Sequence, residues 1–208
     1  REIVKKPALV SRVFQLAVRA LSTKVICNSH ETAAWITRGR VSPGFHYVVW
    51  NGVSASIAPL GPPTAAAGFG APLIDTAIVP NILMIGRINA WKGQDLLLDA
   101  LDLLIKSGGP LFSLTLVGGP PPGQPAWMTR LRERVAASSL QAQTQIVEFT
   151  KEIGGYYAKA DLVVVPSREP EPFGRVAIEA MAAGLPVIAA AHGGLVEIVE
   201  LSLIHISE

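Results

Sequence analysis

The chain has 208 residues and is 50% hydrophobic, so it can bury a sizeable core in one full domain and part of a second. Its 18 basic and 16 acidic residues leave a formal net charge of +2, and no overall field favours nucleic-acid binding. Cys27 is the single cysteine, which excludes an internal disulfide and is typical of a reducing compartment. No apolar run reaches the roughly 18 residues of a membrane span, so we expect a cytoplasmic protein.

The first predicted element is a basic amphipathic helix over residues 3–21. Apolar residues recur there at helical spacing, and the basic residues lie off that stripe: Val10, Val13, Phe14, Ala17 and Leu21 against Lys5, Lys6, Arg12 and Arg19. Such a helix fits peripheral contact with anionic lipid at the inner face of a membrane, although a solvated face on an internal helix gives the same pattern.

Two short strands and a helix follow, and then a segment with no apolar periodicity. The pattern predicts strands over 24–28 and 46–50, separated by a helix over 31–37 that Gly39 caps. Because Cys27 lies inside the first strand, a buried thiol is favoured over a nucleophile. Residues 54–77 are rich in Ala, Gly, Pro and Ser and are interpreted as a linker or loop.

From residue 78 onward, predicted strands and helices alternate. The strands are 82–85, 113–117, 145–149, 162–167 and 186–189, and the helices are 94–106, 127–137, 155–160 and one that begins near Gly174. This alternation predicts an α/β fold, a Rossmann-like doubly wound parallel sheet with helices on both faces. Ligands bind such sheets beyond the carboxyl ends of the strands, so Arg87, Gly118, Ser167 and Gly193 are expected to line one crevice.

The most informative motif is Glu171-Pro-Phe-Gly-Arg-Val-Ala-Ile-Glu179. Pro172 cannot lie in a helix interior, so Glu171 is placed in a loop and Glu179 on the helix that follows. Unsatisfied amides at a helix start carry partial positive charge, which suits an anion such as a diphosphate. The motif therefore indicates a sugar-nucleotide site.

This motif, with Ala-Met-Ala-Ala-Gly-Leu-Pro-Val-Ile and His192-Gly-Gly-Leu-Val-Glu-Ile-Val199 after it, resembles the retaining glycosyltransferases of family 4, whose fold is called GT-B. Ile85-Gly86-Arg87 with Lys92-Gly93, and Leu116-Val-Gly-Gly119, match in the same order. The resemblance covers roughly residues 25–199. It implies that residues 1–52 end an N-terminal, acceptor-side domain, that 53–77 link the domains, and that 78–200 form most of a nucleotide-sugar-binding domain.

The family continues beyond residue 200 with an Asp-Gly turn, a strand and helices, whereas residues 201–208 depart from that pattern and are interpreted as a non-native tail. Together with Arg1 in the first position, this departure indicates part of a longer polypeptide, and we expect the chain alone to be inactive.

The resemblance also implies roles for particular residues. Arg87 and Lys92 would contact the diphosphate of a UDP- or GDP-sugar, Glu171 the hydroxyls of the donor sugar, and Glu179 the ribose hydroxyls. The remaining donor-binding residues are expected at the backbone turn Phe173, Gly174, Arg175 and Val176, and at Gly118. No metal or cofactor is expected, since no Asp-x-Asp motif or histidine cluster occurs. The acceptor would be a glycan, a lipid or a small alcohol.

Three other functions share parts of this pattern. A nucleotide-sugar epimerase of the same fold binds the diphosphate in the same crevice but lacks the full Glu-Pro-Phe-Gly context. A non-catalytic nucleotide-sugar-binding or scaffold protein would keep the pocket without sugar transfer. A plain dinucleotide-binding domain requires Gly-x-Gly-x-x-Gly after its first strand, and Gly86-Arg-Ile-Asn-Ala-Trp-Lys-Gly93 does not fit that requirement.

Overall fold

The computed structural model describes residues 8–38, 44–53 and 79–202. In chain order the helices and strands are α1 (Ala8–Leu21), β1 (Val25–Cys27), α2 (His30–Thr37), β2 (His46–Val48), β3 (Asn81–Ile85), α3 (Gln94–Lys106), β4 (Ser113–Val117), α4 (Ala126–Ala136), β5 (Thr144–Val147), α5 (Gly154–Tyr157), β6 (Leu162–Val165), α6 (Arg175–Ala182), β7 (Val187–Ala189) and α7 (Gly194–Ser202).

The chain divides into two compact units. The sheet unit consists of residues 53–168 and 176–190, and the flanking unit consists of residues 1–52, 169–175 and 191–208. The domain boundaries expected from the sequence remain a prediction.

The sheet unit contains a five-stranded, wholly parallel sheet with the order β5-β4-β3-β6-β7. The chain moves outward from β3 through β4 to β5, and then returns to the other side of β3 for β6 and β7. Right-handed crossovers in these two directions place α3 and α4 on one face of the sheet and α6 on the other. This confirms the predicted α/β fold with a doubly wound parallel sheet.

The core of the sheet unit follows from near-continuous apolar strands. One layer packs β3, β4 and β6 against α3 and α4, and includes Ile82, Met84, Leu98, Leu114 and Leu131. Side chains alternate across a strand, so the buried residues between them, Leu83 and Val163, face the other side. Ala177 and Ala180 of α6 are also fully buried. Both faces of the sheet are therefore covered, as a parallel sheet requires.

The flanking unit contains a two-stranded parallel sheet of β1 and β2. Its small core consists of Cys27, Ala33 and Ile36. Burial raises the pKa of the Cys27 thiol, which is consistent with the predicted inert role. Helix α2 begins at an N-cap, Ser29, whose hydroxyl accepts a hydrogen bond from the Thr32 amide over 3.0 Å.

Most predicted elements are confirmed, and α3 and β4 have the predicted bounds. Helix α2 ends at Thr37, and its C-cap is Arg38, which adopts the left-handed conformation with φ 56°; the expected cap Gly39 lies outside the described residues. The predicted linker and residues 203–208 of the expected tail lie outside them too. Helix α7 is not among the elements that the sequence predicts.

Within the described part of the chain, no helix combines the length and the apolar character that crossing a bilayer requires.

Candidate donor-binding site

The loop between β3 and α3 carries both predicted cations, and side chains fix it at two points. The carboxamide oxygen of Asn89 accepts hydrogen bonds from the amides of Trp91 over 3.1 Å and Lys92 over 3.0 Å. The side-chain nitrogen Nε2 of Gln94, a buried residue, donates to the backbone carbonyl of Arg87 over 2.9 Å. The loop backbone is therefore ordered from Arg87 to the start of α3.

The two cations of this loop differ in exposure. Arg87 is exposed, whereas Lys92 is half-buried and its ammonium lies 5.3 Å from the ring centroid of Trp91. A planar guanidinium can bind two oxygens at once, and an ammonium acts as a compact charge. An ordered loop with both groups at the carboxyl end of β3 suits an anion that approaches the sheet edge.

Glycines let the loops after β3, β4 and β6 approach each other closely. A Cβ atom on Gly118 would overlap with the carbonyl oxygen of Gly86, and one on Gly93 would overlap with the carbonyl oxygen of Pro166. Gly93 also has φ 79°, a conformation that side chains disfavour. Gly118 therefore has a packing reason for its identity, independent of any ligand.

Glu179, the second acid of the motif, is buried in the second turn of α6 with 4% of its surface exposed. The hydroxyl of Tyr157 donates a hydrogen bond to Oε2 of Glu179 over 3.1 Å. A buried carboxylate requires such donors because desolvation penalises the charged form. Glu179 is therefore not a solvated acid on the helix surface.

Glu171, the first acid, lies in the flanking unit and is 5% exposed. Its backbone forms an isolated parallel bridge with Gly193, and its carbonyl accepts a hydrogen bond from the Gly194 amide over 2.7 Å. A Cβ atom on Gly193 would lie 2.6 Å from the backbone nitrogen of Glu171. Gly193 therefore permits the close approach of the backbone at Glu171.

The turn after Glu171 is packed against α7. Phe173 is 5% exposed, so its ring is a packing residue. Gly174 has φ 98°, and a Cβ there would lie 2.5 Å from a methyl carbon of Leu195. Arg175 is exposed and begins α6, one residue after the predicted start at Gly174.

Glu197 of α7 forms hydrogen bonds within the flanking unit, and the sequence alone does not predict a role for it. Its carboxylate accepts hydrogen bonds from the amides of His30 over 3.0 Å and Glu31 over 2.9 Å, and from the indole of Trp50 over 3.3 Å. A carboxylate at the start of α2 complements the helix dipole. No local pattern indicates this contact because the partners are more than 140 residues apart in sequence.

The predicted site residues are divided between the two units. Those in the sheet unit are Arg87, Lys92, Gly118, Val176 and Glu179, and those in the flanking unit are Glu171, Phe173, Gly174 and Arg175. Among the residues that the structure describes, no group of three or more His, Cys, Asp or Glu side chains could hold a metal ion.

The sheet order defines a doubly wound α/β protein, and comparison with known proteins gives the family. Residues 79–202 match the family described as glycosyl transferases group 1. The match covers more than half of the chain. The chain belongs to this family, and its structural neighbours are glycosyltransferases with the GT-B fold.

Two curated relatives illustrate the similarity. A D-inositol 3-phosphate glycosyltransferase of Jonesia denitrificans is 42% identical over 118 residues, which cover 55% of this chain and 27% of the relative. A protein of the same name from Mycolicibacterium gilvum is 33% identical over 180 residues, which cover 82% of this chain and 37% of the relative. The chain thus spans well under half the length of these relatives.

Solved structures extend the likeness to nearly the whole chain. The crystal structure of Anabaena Alr3699/HepE in complex with UDP and glucose is similar to this chain, with a TM-score of 0.74 and 27% identity. The aligned residues cover 90% of this chain and 50% of the Anabaena chain. The same protein is also known in complex with UDP-glucose. The sucrose-phosphate synthase of Thermosynechococcus elongatus matches with a TM-score of 0.72 and 30% identity. The aligned residues cover 94% of this chain and 47% of the synthase chain.

Proposed function

We propose that this chain is the donor-binding part of a retaining glycosyltransferase of family 4. The donor is a UDP- or GDP-sugar, and the acceptor is a glycan, a lipid or a small alcohol. The observation that carries the proposal is the motif Glu171 to Glu179, whose two carboxylates are both buried, in a chain that belongs to the group 1 family. The similar structure that holds UDP and glucose supports a nucleotide-sugar donor.

Charge development explains why the site requires cations. In sugar transfer the bond between the anomeric carbon and the diphosphate oxygen breaks, and negative charge grows on the departing diphosphate. Fixed positive groups that stabilise this charge lower the barrier more than they strengthen ground-state binding. In the proposed function, Arg87 and Lys92 supply that charge from a loop that Asn89 and Gln94 hold in place.

The two carboxylates recognise hydroxyl groups. An ionised carboxylate only accepts hydrogen bonds, so it suits the vicinal hydroxyls of a sugar or a ribose. In the proposal Glu171 binds the hydroxyls of the donor sugar and Glu179 those of the ribose. The site needs no metal, because the cations and the start of α6 stabilise the diphosphate.

Calorimetric titration of the chain with UDP, GDP and ADP tests donor binding and identifies the base. We expect binding of one of the first two, weakened about tenfold or more by Lys92→Ala or Glu179→Gln, because each removes a charged hydrogen-bonding partner. Lys159→Ala and Glu152→Gln change exposed residues of the same unit and are the matched controls. Failure of all three nucleotides to bind, or unchanged affinity in Glu179→Gln, would contradict the proposal.

A peripheral membrane contact at the inner face of the membrane, in a cytoplasmic protein, is a further part of the proposal. In α1, Val13 is 58% and Phe14 is 52% exposed, and Arg12 and Arg19 are exposed too. Basic and apolar side chains together suit an anionic lipid surface. Sedimentation with anionic vesicles should remove the chain from solution, and Arg12→Gln with Arg19→Gln should reduce that binding. Equal binding to neutral vesicles would count against it.

A further inference from the structure

Tyr157 and Glu179 form a buried polar pair in the sheet unit. Tyr157 is 1% exposed and Glu179 is 4% exposed, and 3.1 Å separates the phenol oxygen from Oε2 of the acid. The neighbouring Tyr156 is half-buried, and no hydrogen bond of its hydroxyl is described. Of two adjacent tyrosines, one is therefore directed at a proposed donor-binding acid.

The backbone holds Tyr157 in place. It is the last residue of α5, its amide donates to the carbonyl of Ile153 over 3.2 Å, and its own carbonyl accepts from the amide of Ala160 over 3.2 Å. Close packing around a fully buried ring leaves it one rotamer. The hydroxyl therefore occupies a fixed position.

Helix α6 holds Glu179 with similar rigidity. Ala177 and Ala180 on either side of it are fully buried, and the amide of Leu185 donates to the carbonyl of Ala180 over 3.0 Å. The rotation of the carboxylate about its last torsion is broad for glutamate. A hydrogen bond to one of the two oxygens restricts that rotation and fixes the plane of the group.

We propose that Tyr157 is a positioning residue for Glu179 and thereby a determinant of preference for ribonucleotide donors over deoxyribonucleotide donors. The inference rests on the proposed function, in which Glu179 accepts hydrogen bonds from the ribose hydroxyls. A carboxylate that is already oriented pays less ordering entropy when it binds two hydroxyls. Without the phenol, the carboxylate rotates more freely and binds them more weakly.

The test compares Tyr157→Phe with Tyr156→Phe in the 208-residue chain. Each change removes one hydroxyl and keeps the ring, so the packing of the sheet unit is preserved in both. Affinities for UDP, 2′-deoxy-UDP and 3′-deoxy-UDP are measured by calorimetry, with the guanosine series in their place if GDP is the nucleotide that binds.

We expect Tyr157→Phe to weaken UDP binding about three- to tenfold, the range of one hydrogen bond. Binding of the deoxynucleotides should change much less, so that the ratio of ribonucleotide to deoxyribonucleotide affinity falls toward that of Glu179→Gln. Tyr156→Phe should keep both the affinities and the ratio. A merely structural role would weaken all three nucleotides equally and leave the ratio unchanged.

Several outcomes separate the inference from the function beneath it. If Glu179→Gln lowers the ratio and Tyr157→Phe does not, the inference fails while the proposed role of Glu179 stands. If Glu179→Gln leaves the ratio unchanged, or if no nucleotide binds to the wild-type chain, both fail. Equal effects of the two tyrosine variants would also overturn the inference.

Discussion

The sheet unit and the flanking unit are stabilised by different means. In the sheet unit Leu83, Leu98 and Val163 have no exposed surface, and apolar packing covers both sheet faces. In the flanking unit a small core is supplemented by hydrogen bonds that Glu197 accepts, while Ile26 stays 74% exposed. Apolar burial contributes more free energy than the net of a few hydrogen bonds. The comparison indicates that the sheet unit carries most of the stability of the described residues.

The largest expected effect tests that comparison directly. Leu98→Ala should lower the free energy of unfolding by about 3 kcal/mol, because it leaves a cavity in a fully packed core. Ile36→Ala, in the small core of the flanking unit, should cost less and leave the main transition in urea unchanged. Leu103→Ala, on the same helix as Leu98 but 67% exposed, should cost less than about 0.5 kcal/mol. Equal losses at Leu98 and Ile36 would refute the comparison.

An intermediate effect is expected where the flanking unit depends on a carboxylate. Glu197→Ala removes the acceptor for the amides of His30 and Glu31 and should cost about 1 kcal/mol locally. Faster hydrogen exchange at these two amides would report the loss, with Glu31→Gln as the control because its exposed side chain makes no described hydrogen bond. Unchanged exchange in Glu197→Ala would show that the contact does not stabilise the start of α2.

The smallest effect concerns a polar network within the sheet unit. The hydroxyl of Ser139 and then the guanidinium of Arg134 hold the pKa of Asp102 below its usual value. A lowered folded-state pKa stabilises the protein above the unfolded pKa, near pH 4, and this contribution disappears as the pH falls through the folded pKa. Asp102→Asn should therefore flatten the acid side of the stability curve and cost less than about 1 kcal/mol at neutral pH.

Asp99, which also binds Arg134, provides the control for this network. Its side chain is 57% exposed against 12% for Asp102, so solvent screens its ion pair more strongly. At every pH, Asp99→Asn should change the free energy of unfolding in urea by less than Asp102→Asn does. If the free energy of unfolding had the same pH dependence in the two variants, the buried position of Asp102 would not be the cause of its contribution to stability.

The hydrophobic period of the sequence predicted the elements of the sheet unit well. Helix α3 and strand β4 have the predicted bounds because both are long, strongly patterned segments with clear ends. Helix α7 is not predicted, since the stretch after His192 is recognisable from the sequence only as part of a family motif. The predicted start of α6 at Gly174 differed by a single residue, which is usual for helix ends.

The candidate site, like the fold, is only partly predictable from the sequence. The motif from Glu171 to Glu179 indicates candidate residues for donor binding, because the residue types and their spacing are local properties of the chain. The burial of both acids, the phenol of Tyr157 on one of them and the glycines against the other depend on segments distant in sequence.

The sequence by itself determined the alternation of strands and helices, the parallel sheet and the identity of the candidate donor-binding residues. The elements and the sheet follow from local periodicity, and the candidate residues follow from local motifs that resemble those of a known family. The tertiary structure alone decided that Tyr157 donates a hydrogen bond to Glu179, that Glu197 accepts hydrogen bonds at the start of α2, and that Gly118 must lack a side chain. Such contacts join residues far apart along the chain, and only the packing of the folded elements brings them within hydrogen-bond or van der Waals distance.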